Sequence, residues 1–456
     1  MHVASTPRRR LIALLGAGAI VVGACSSGTA SSAPSAAESA AASAPAASSE
    51  ASAPASGGSE DLSGQTVSVI GTWTGTEQES FLAMTKPWSD KTGATVKYTG
   101  TRDINAILST GIQSGLLPDL AGLPGPGQAA EYVQAGALKP LNDVIDMSTY
   151  TADTAPGLVK LGTINDQLYG IFIKADVKGL FWYNTGVFKD GTPTSYDDLL
   201  AKGKSTAAGI GGDAKTFCVG LESGAASGWP GSDWVEQFVL QQSGPDVYDS
   251  WVAGKTKWTD PAIKQAFEAF GNVIANTFGG GKNANATNFV ASGDKLFSNP
   301  PGCVFVNHGT FITDAFKKTG GATDGQFDFI PFPQINPAYA GAVEGSGDMF
   351  GMFNDTPAAK SLIAWLATPE AQSIWVGRGG ALSANKQVSN YPNDILKKAA
   401  AALTGASIFR FDGGDNMPQA MNDAFFKAMV AYAQDPSKLD SILANLDSVQ
   451  SSSYSQ

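Results

Sequence analysis

Between Gln65 and Ala135 one pattern occurs three times: a short β-rich run, a loop, then a helix with apolar residues at helical spacing. Thr66-Val67-Ser68-Val69-Ile70 alternates and reads as a buried strand, ending in the loop Gly71-Thr72-Trp73-Thr74-Gly75. A helix is expected over 77–89, because Phe81, Leu82, Met84 and Trp88 share one face. Thr95-Val96-Lys97-Tyr98 is the second strand, and Thr101-Arg102-Asp103 opens a helix carrying Ile104, Ile107, Leu108 and Ile112. Asp119-Leu120-Ala121-Gly122-Leu123 is the third, followed by Pro124-Gly125-Pro126-Gly127 and a helix over 128–135. Strands separated by helices are joined by crossovers, so the repeat predicts an α/β fold on a parallel sheet.

Ligands of such sheets bind at the loops beyond the carboxyl ends of the strands. All three loops carry usable chemistry: Trp73 with Glu77, Arg102 with Asp103, and a Gly/Pro turn that bares backbone groups. One loop aromatic or one Arg-Asp pair is as compatible with packing or surface; their recurrence at one topological station points to a site. Further strand-like runs are Tyr169-Gly170-Ile171-Phe172-Ile173 and Gly179-Leu180-Phe181-Trp182-Tyr183-Asn184. A helix is expected over 196–204, ended by the glycines at 209–212. Phe217-Cys218-Val219-Gly220 leads into Glu222-Ser223-Gly224-Ala225-Ala226-Ser227-Gly228-Trp229-Pro230, a loop with a carboxylate, a hydroxyl and an aromatic plate. Helices are read over 261–270, 310–318, 357–366, 369–375 and 418–433.

The amino-terminal segment has another character. Arg8-Arg9-Arg10 precedes an apolar or small-residue run from Leu11 to Ala24, and then stands Cys25. This is the layout of a secretory signal peptide over residues 1–24, with a run too short to span a bilayer of about 30 Å as a helix. Val21-Val22-Gly23-Ala24-Cys25 resembles a bacterial lipobox, which makes Cys25 a diacylated mature terminus; an ordinary export signal containing Cys is the alternative. Residues 26–60 are Ala, Ser, Pro, Gly and Thr with a few acidic residues, unable to bury a core. With Cys25 they form a disordered tether over 25–62, about 30–35 Å across as a coil.

The chain carries a net charge of −11, more negative once Arg8, Arg9 and Arg10 leave with the leader. That excludes nucleic acid as the main partner, and an anionic lipid surface equally, so attachment to the membrane falls to the lipid anchor. With Cys25 lipidated, Cys218 and Cys303 are an even pair in an oxidising compartment, and a disulfide is expected between them. Two separately buried thiols are the alternative. His308 is the one histidine left in the mature chain and no CxxC occurs, so neither a metal nor a cofactor is expected.

Several stretches together resemble the extracytoplasmic solute-binding proteins of ABC importers, bacterial family 1, and within it the alpha-glucoside-binding branch. They are the lipobox, Gly100-Thr101-Arg102-Asp103, Leu117-Pro118-Asp119, Lys174-Ala175-Asp176, Cys218-Val219-Gly220-Leu221-Glu222-Ser223-Gly224, Gly345 to Asp348, Thr356-Pro357-Ala358-Ala359-Lys360, Thr368-Pro369-Glu370-Ala371-Gln372 and Phe409 to Pro418. The resemblance implies a two-lobed periplasmic-binding-protein fold (Venus-flytrap, type II-like) with hinge strands. Lobe one would be 63–178 with 345–378, and lobe two 179–344 with 379–456. It also implies a monomer that closes on an oligosaccharide, an alpha-glucoside by the branch, and hands it to permease subunits.

Sugars present a C–H face for aromatic stacking and a hydroxyl rim for carboxylates, amides and Arg. The expected ligand-binding residues are Trp73, Glu77, Arg102, Asp103 and Asp119 from lobe one. Glu222, Ser223, Trp229, Asp233 and His308 come from lobe two, with Asp348 at a crossing and Asp415 before the last helices. His308 reads equally as a buried structural histidine, and Asp415 equally as a helix cap. A polyol or another solute on the same fold is the competing ligand reading. The rival class is a glycosidase using Glu222 with Asp233 or Asp412 with Asp415. No Gly-x-Ser-x-Gly elbow is present, nor a Gly-x-x-x-x-Gly-Lys-Ser/Thr phosphate loop.

Overall fold

A computed structural model describes residues 61–123 and 125–454. The leader, the lipidation site at Cys25 and the tether to residue 60 lie outside them. Leu62, assigned to the tether by sequence, is buried beside Val67 and Trp88, and its N–H donates to the Thr92 carbonyl at 2.9 Å.

In chain order the strands are β1 (Thr66–Gly71), β2 (Thr95–Gly100), β3 (Leu120–Leu123), the hairpin β4 (Thr163–Ile164) and β5 (Gln167–Leu168), β6 (Gly170–Phe172), β7 (Asp176–Val177) and β8 (Leu180–Asn184). They continue with β9 (Lys215–Cys218), β10 (Cys303–His308), β11 (Phe327–Ile330), β12 (Ala342–Ser346), β13 (Met349–Met352) and β14 (Ile408–Phe411). The first sheet runs β2-β1-β3-β13-β6. As the repeat predicts, β1 is parallel to β2 and to β3, but β13 joins antiparallel to β3 and β6, so the sheet is mixed. The second sheet runs β11-β8-β10-β9, with β10 parallel to β9 and β8 antiparallel to both its neighbours.

Between the two lies a three-stranded sheet, β14-β12-β7, and here the chain changes sides. It leaves the first sheet through β7 to reach β8, and returns through β12 to reach β13. β7 and β12 are antiparallel neighbours, with Ser346 opposite Asp176 and Gly345 opposite Val177. A third passage runs from the helix Pro369–Arg378 past a bridge between Leu382 and Ala175 toward β14, which pairs with β12. Three passages hydrogen-bonded side by side make a narrow connection, the geometry of a hinge.

Each side has its own apolar core, and a third cluster, with Phe172, Met349, Trp182 and Val306, draws on both. On the first, Trp73, Phe81, Phe350 and Trp375 are buried together. On the second, Phe181, Phe217, Trp234, Phe238 and Phe305 pack around the helix Trp229–Ser243. Trp182 is core as well, its indole N–H donating to the His308 carbonyl at 3.1 Å. Cys218 and Cys303 are disulfide-bonded between the paired strands β9 and β10. In the chain-entropy description, closing a loop of this length contributes about 4 kcal/mol. The helix expected over 196–204 runs on to Ile210 and is capped by Gly211, within the glycines expected to end it. Helices at Pro245–Val252, Asp394–Thr404 and Leu439–Ser453 went unread; the last two are rich in Ala or Ser.

Candidate functional site

The carboxyl ends of β1, β2 and β3 converge on one cavity, as the sheet rule requires. From that side come Trp73 and Glu77 after β1, Arg102 and Asn105 after β2, and Gln128 in the helix Pro126–Gln134 after β3. The opposite wall is Trp229 and Asp233 at the start of the helix Trp229–Ser243, with Phe289 and Phe311. Asp412, Asp415 and Phe426 close a third side, and Lys174, Asp176, Lys178 and Asp348 on the crossing segments form the floor. The space among these walls, counting the solvent open at its mouth, is about 940 Å³.

Two buried lysines organise the floor. Lys174 Nζ lies 2.7 Å from Glu77 and 3.1 Å from Asp348, and 5.1 Å from the Trp375 ring centroid. Burial works to raise the Glu77 pKa, but Lys174 and Arg102 outweigh it and hold the carboxyl below its ordinary value. Lys178 Nζ lies 2.8 Å from Asp233, bonds Asp412, and stands 5.3 Å from the Trp229 ring centroid. Asp233 and Glu236, one helical turn apart on the helix Trp229–Ser243, are both buried, and Glu236 accepts the Gly413 N–H at 2.6 Å. Burial pushes Asp176 up to about 6, against the pull of Lys174 and of Thr310, whose N–H donates to it at 2.7 Å. Asp233, Glu344 and Asp412 also bring carboxylate oxygens within 4.8 Å of one another. The Lys178 ammonium already sits on two of those groups, so a metal ion sharing their oxygens would meet a like charge.

Aromatic surface faces this polar floor. Trp229 packs against Phe289 at 5.0 Å and Phe311 at 5.8 Å, and Arg102 lies over the Phe289 ring at 5.0 Å. Trp73 is an edge rather than a plate: it is 1% exposed, stacked on Phe350 and set edge-on to Trp375.

Of the residues expected from sequence, Trp73, Glu77, Arg102, Trp229, Asp233, Asp348 and Asp415 line the cavity. The others stand outside it for local reasons. Asp119 precedes β3, at the amino end of the strand and so away from the cleft, where its carboxylate accepts from Ser68 N and Oγ, each at 2.8 Å. Asp103 is exposed at the start of the helix Ile104–Ser114. Glu222 closes its own loop, accepting from Gly224 N at 2.8 Å and Asn288 Nδ2 at 2.5 Å, and these bonds hold its pKa down. Ser223 is buried beneath that loop, outside the lining. His308 backs the wall: its ring packs on Trp229 at 5.8 Å, Nε2 meets Ser292 Oγ at 3.0 Å, and burial with the Lys178 charge drives its pKa to about 3, so the imidazole is neutral. Asp415 does not cap the helix Gln419–Gln434, which begins after Pro418 without a side-chain cap, and the short helix Gly413–Asn416 is capped by Asp412, which accepts the Asp415 N–H at 3.0 Å.

Lys174, Asp176 and Lys178 escaped the sequence reading of the site, although Lys174-Ala175-Asp176 belongs to the resemblance. Their spacing is the signal: Lys-x-Asp-x-Lys puts three charged groups on one face of an extended segment.

Two walls of aromatic and carboxylate groups, meeting at strand crossings that form a hinge, define a two-lobed ligand-binding protein. Residues 83–447 match the bacterial extracellular solute-binding protein family. The chain belongs to that family. It is 33% identical over 384 residues to the osmoprotective compounds-binding protein GgtB of Synechocystis sp., covering 82% of this chain and 90% of the relative. It is also 33% identical over 400 residues to the alpha-glucosides-binding periplasmic protein AglE of Rhizobium meliloti, covering 83% and 86%. Among solved structures the fold matches a bacterial solute receptor, AcbH, described as preferring β-D-galactopyranose (TM-score 0.75, 17% identity, 86% of this chain and 99% of that one). It also matches a chitin oligosaccharide binding protein (TM-score 0.73, 19% identity, 86% and 99%).

Proposed function

We propose that this chain is the extracytoplasmic substrate-binding component of an ABC importer for an alpha-glucoside or related oligosaccharide. The observation that carries the reading is the cavity itself, lined by the Trp229, Phe289 and Phe311 rings and by the carboxylates of Glu77, Asp233, Asp348 and Asp412. Rings of that kind stack on sugar C–H faces, and carboxylates with Arg102 take the hydroxyl rim. The 33% identity to an alpha-glucosides-binding protein supports the branch.

In this reading residues 63–178 with 345–378 form one lobe and 179–344 with 379–456 the other, and the chain acts as a monomer. Ligand favours the closed form by its differential affinity, and permease subunits read closed against open. Residues 1–24 direct export, lipid on Cys25 anchors the chain, and the tether keeps the clamp within reach of the membrane. Binding rather than hydrolysis fits the carboxylates: Glu222 stands outside the cavity, and Asp233 and Asp412 share Lys178.

Calorimetry of the purified protein against a panel of alpha-linked di- and trisaccharides should give saturable heat with the sugar recovered unaltered. No heat and no thermal shift with any of them would sink the alpha-glucoside reading. The similarity to a protein named for osmoprotective compounds favours a second ligand class, small compatible solutes and polyols, which belong on the same panel. Cys25→Ala should leave affinity intact and weaken uptake by cells.

A further inference from the structure

Glu344 sits in the middle of the crossing strand β12 and is fully buried. Neither of its carboxylate oxygens has a hydrogen-bond partner among the described residues. One of them lies within 4.8 Å of carboxylate oxygens of Asp233 and Asp412, both of which line the cavity. The groups that face Glu344 come from each neighbouring element. Asp233 and Glu236 project from the helix Trp229–Ser243, Tyr248 from the helix Pro245–Val252, Asp412 from the turn after β14 with Asp415 beyond it, and Lys178 from the end of β7. Arg410, the register partner of Glu344 across the β12–β14 ladder, commits its guanidinium to Asp249 at 2.6 and 2.7 Å. On the helix Asp394–Thr404, which also packs on β12, Lys398 pairs with Asp328 and Lys397 with Asp394.

Lys178 therefore faces an acidic cluster that it cannot balance, and its ammonium is already shared by Asp233 and Asp412. An ionised carboxylate that is buried, without hydrogen bonds from its protein neighbours and beside like charges neutralises by taking a proton. We propose that Glu344 is held as a neutral carboxylic acid and, in that state, positions the Asp233–Lys178–Asp412 wall of the cavity, so that ligand capture is linked to a proton. This rests on the reading of the cavity as the ligand site. Burial, with repulsion from Glu236, Asp412 and Asp233, pushes the Glu344 pKa well above the carboxylate range, in agreement.

The strand that carries the acid also holds the base, since the Glu344 carbonyl accepts the Lys178 N–H at 3.0 Å. A charge appearing on Glu344 acts where the chain passes between the two sheets. Opening of the cleft admits water to the cluster and eases loss of the proton, so closure takes a proton up. The folded, closed form then has the higher pKa, and affinity is full at low pH and declines as pH rises through that value. Each pH unit by which the closed form exceeds the open one weakens binding about tenfold.

Two measurements on the purified protein test this. Infrared difference spectra of wild type and E344Q at about pH 7 should show a carboxylic-acid C=O band that the variant lacks; an unchanged acid region would overturn the proposal. Calorimetry with maltose and trehalose from about pH 6 to about pH 9 should weaken wild-type binding by about tenfold or more while E344Q stays flat. E344L, similar in volume and without a titratable group, should also stay flat across this range. Parallel decline of wild type and E344Q refutes the positioning role. If no variant binds either sugar, the sugar reading fails separately. The infrared band then still decides the proton, together with whether alkaline pH lowers the wild-type thermal midpoint more than that of E344Q.

Discussion

Removing Lys178 is the sharpest test of how the cavity floor is held together. Its Nζ lies 2.8 Å from Asp233 and bonds Asp412, and all three side chains are buried. Deleting one member of a buried ion pair leaves an uncompensated charge and costs about 3–5 kcal/mol. Lys178 serves two carboxylates and also lies over Trp229, so Lys178→Met belongs at the upper end, about 5 kcal/mol. The pH dependence identifies the cause. Burial already raises the Asp233 pKa, and loss of the ammonium raises it further. A carboxyl whose folded pKa exceeds its unfolded value contributes stability that is complete below the unfolded value and is lost as pH climbs through the folded one. The deficit of Lys178→Met should therefore be small near about pH 4 and complete by about pH 8. Urea unfolding of both proteins at the two pH values, followed by tryptophan fluorescence, measures it. A variant as stable as wild type at the higher pH, or a deficit equal at both, would refute the reasoning.

Trp229→Ala removes the plate that faces the floor and frees Phe289 and Phe311 from their contact, so sugar affinity should fall by about tenfold or more in calorimetry. Glu222→Gln, outside the cavity, should shift it by less than about twofold, since surface changes away from a site act weakly. Gly127→Ala would drive a methyl group into the Met417 carbonyl, where the turn after β14 rests on the helix after β3. That variant should stay folded yet close poorly, shown by weaker binding and a larger radius of gyration with saturating ligand. Cys218→Ser with Cys303→Ser should lower unfolding stability by about 2–5 kcal/mol, and alkylation before reduction should find neither thiol in the wild type.

The first three βα units were legible because each is local. Alternation in Thr66–Gly71 and the helical spacing of Phe81, Met84 and Trp88 act over a few residues, although Pro126 and Gly127, read as a turn, belong to the helix Pro126–Gln134. The remainder of that sheet was not, since β13 and β6 reach it from far along the chain and pair antiparallel. Nothing in Met349–Met352, buried at every position, distinguishes a strand that returns to the first sheet from one that stays in the second. Continuous apolar runs carry burial but not address.

The site divides along the same line. Trp73, Glu77 and Arg102 were found because the carboxyl ends of parallel strands are a rule of position, and Asp119 was misplaced by reading the wrong end of β3. Glu222 was chosen for its chemistry alone, whereas its geometry commits it to Gly224 and Asn288. The cluster at the centre shows what sequence reading misses most. Lys178, Asp233, Glu344 and Asp412 come from four separate segments, and each alone reads as an ordinary surface charge. Only their meeting in one buried place makes them costly, and that cost is what marks them. An ion pair at the surface contributes at most about 1 kcal/mol, whereas a breach in a buried one costs several times that. A charged residue kept at a crossing strand therefore answers to the cavity it borders. The alternation Lys174, Asp176, Lys178 is the one trace of that constraint written locally, because an extended segment sets every second side chain on the same face.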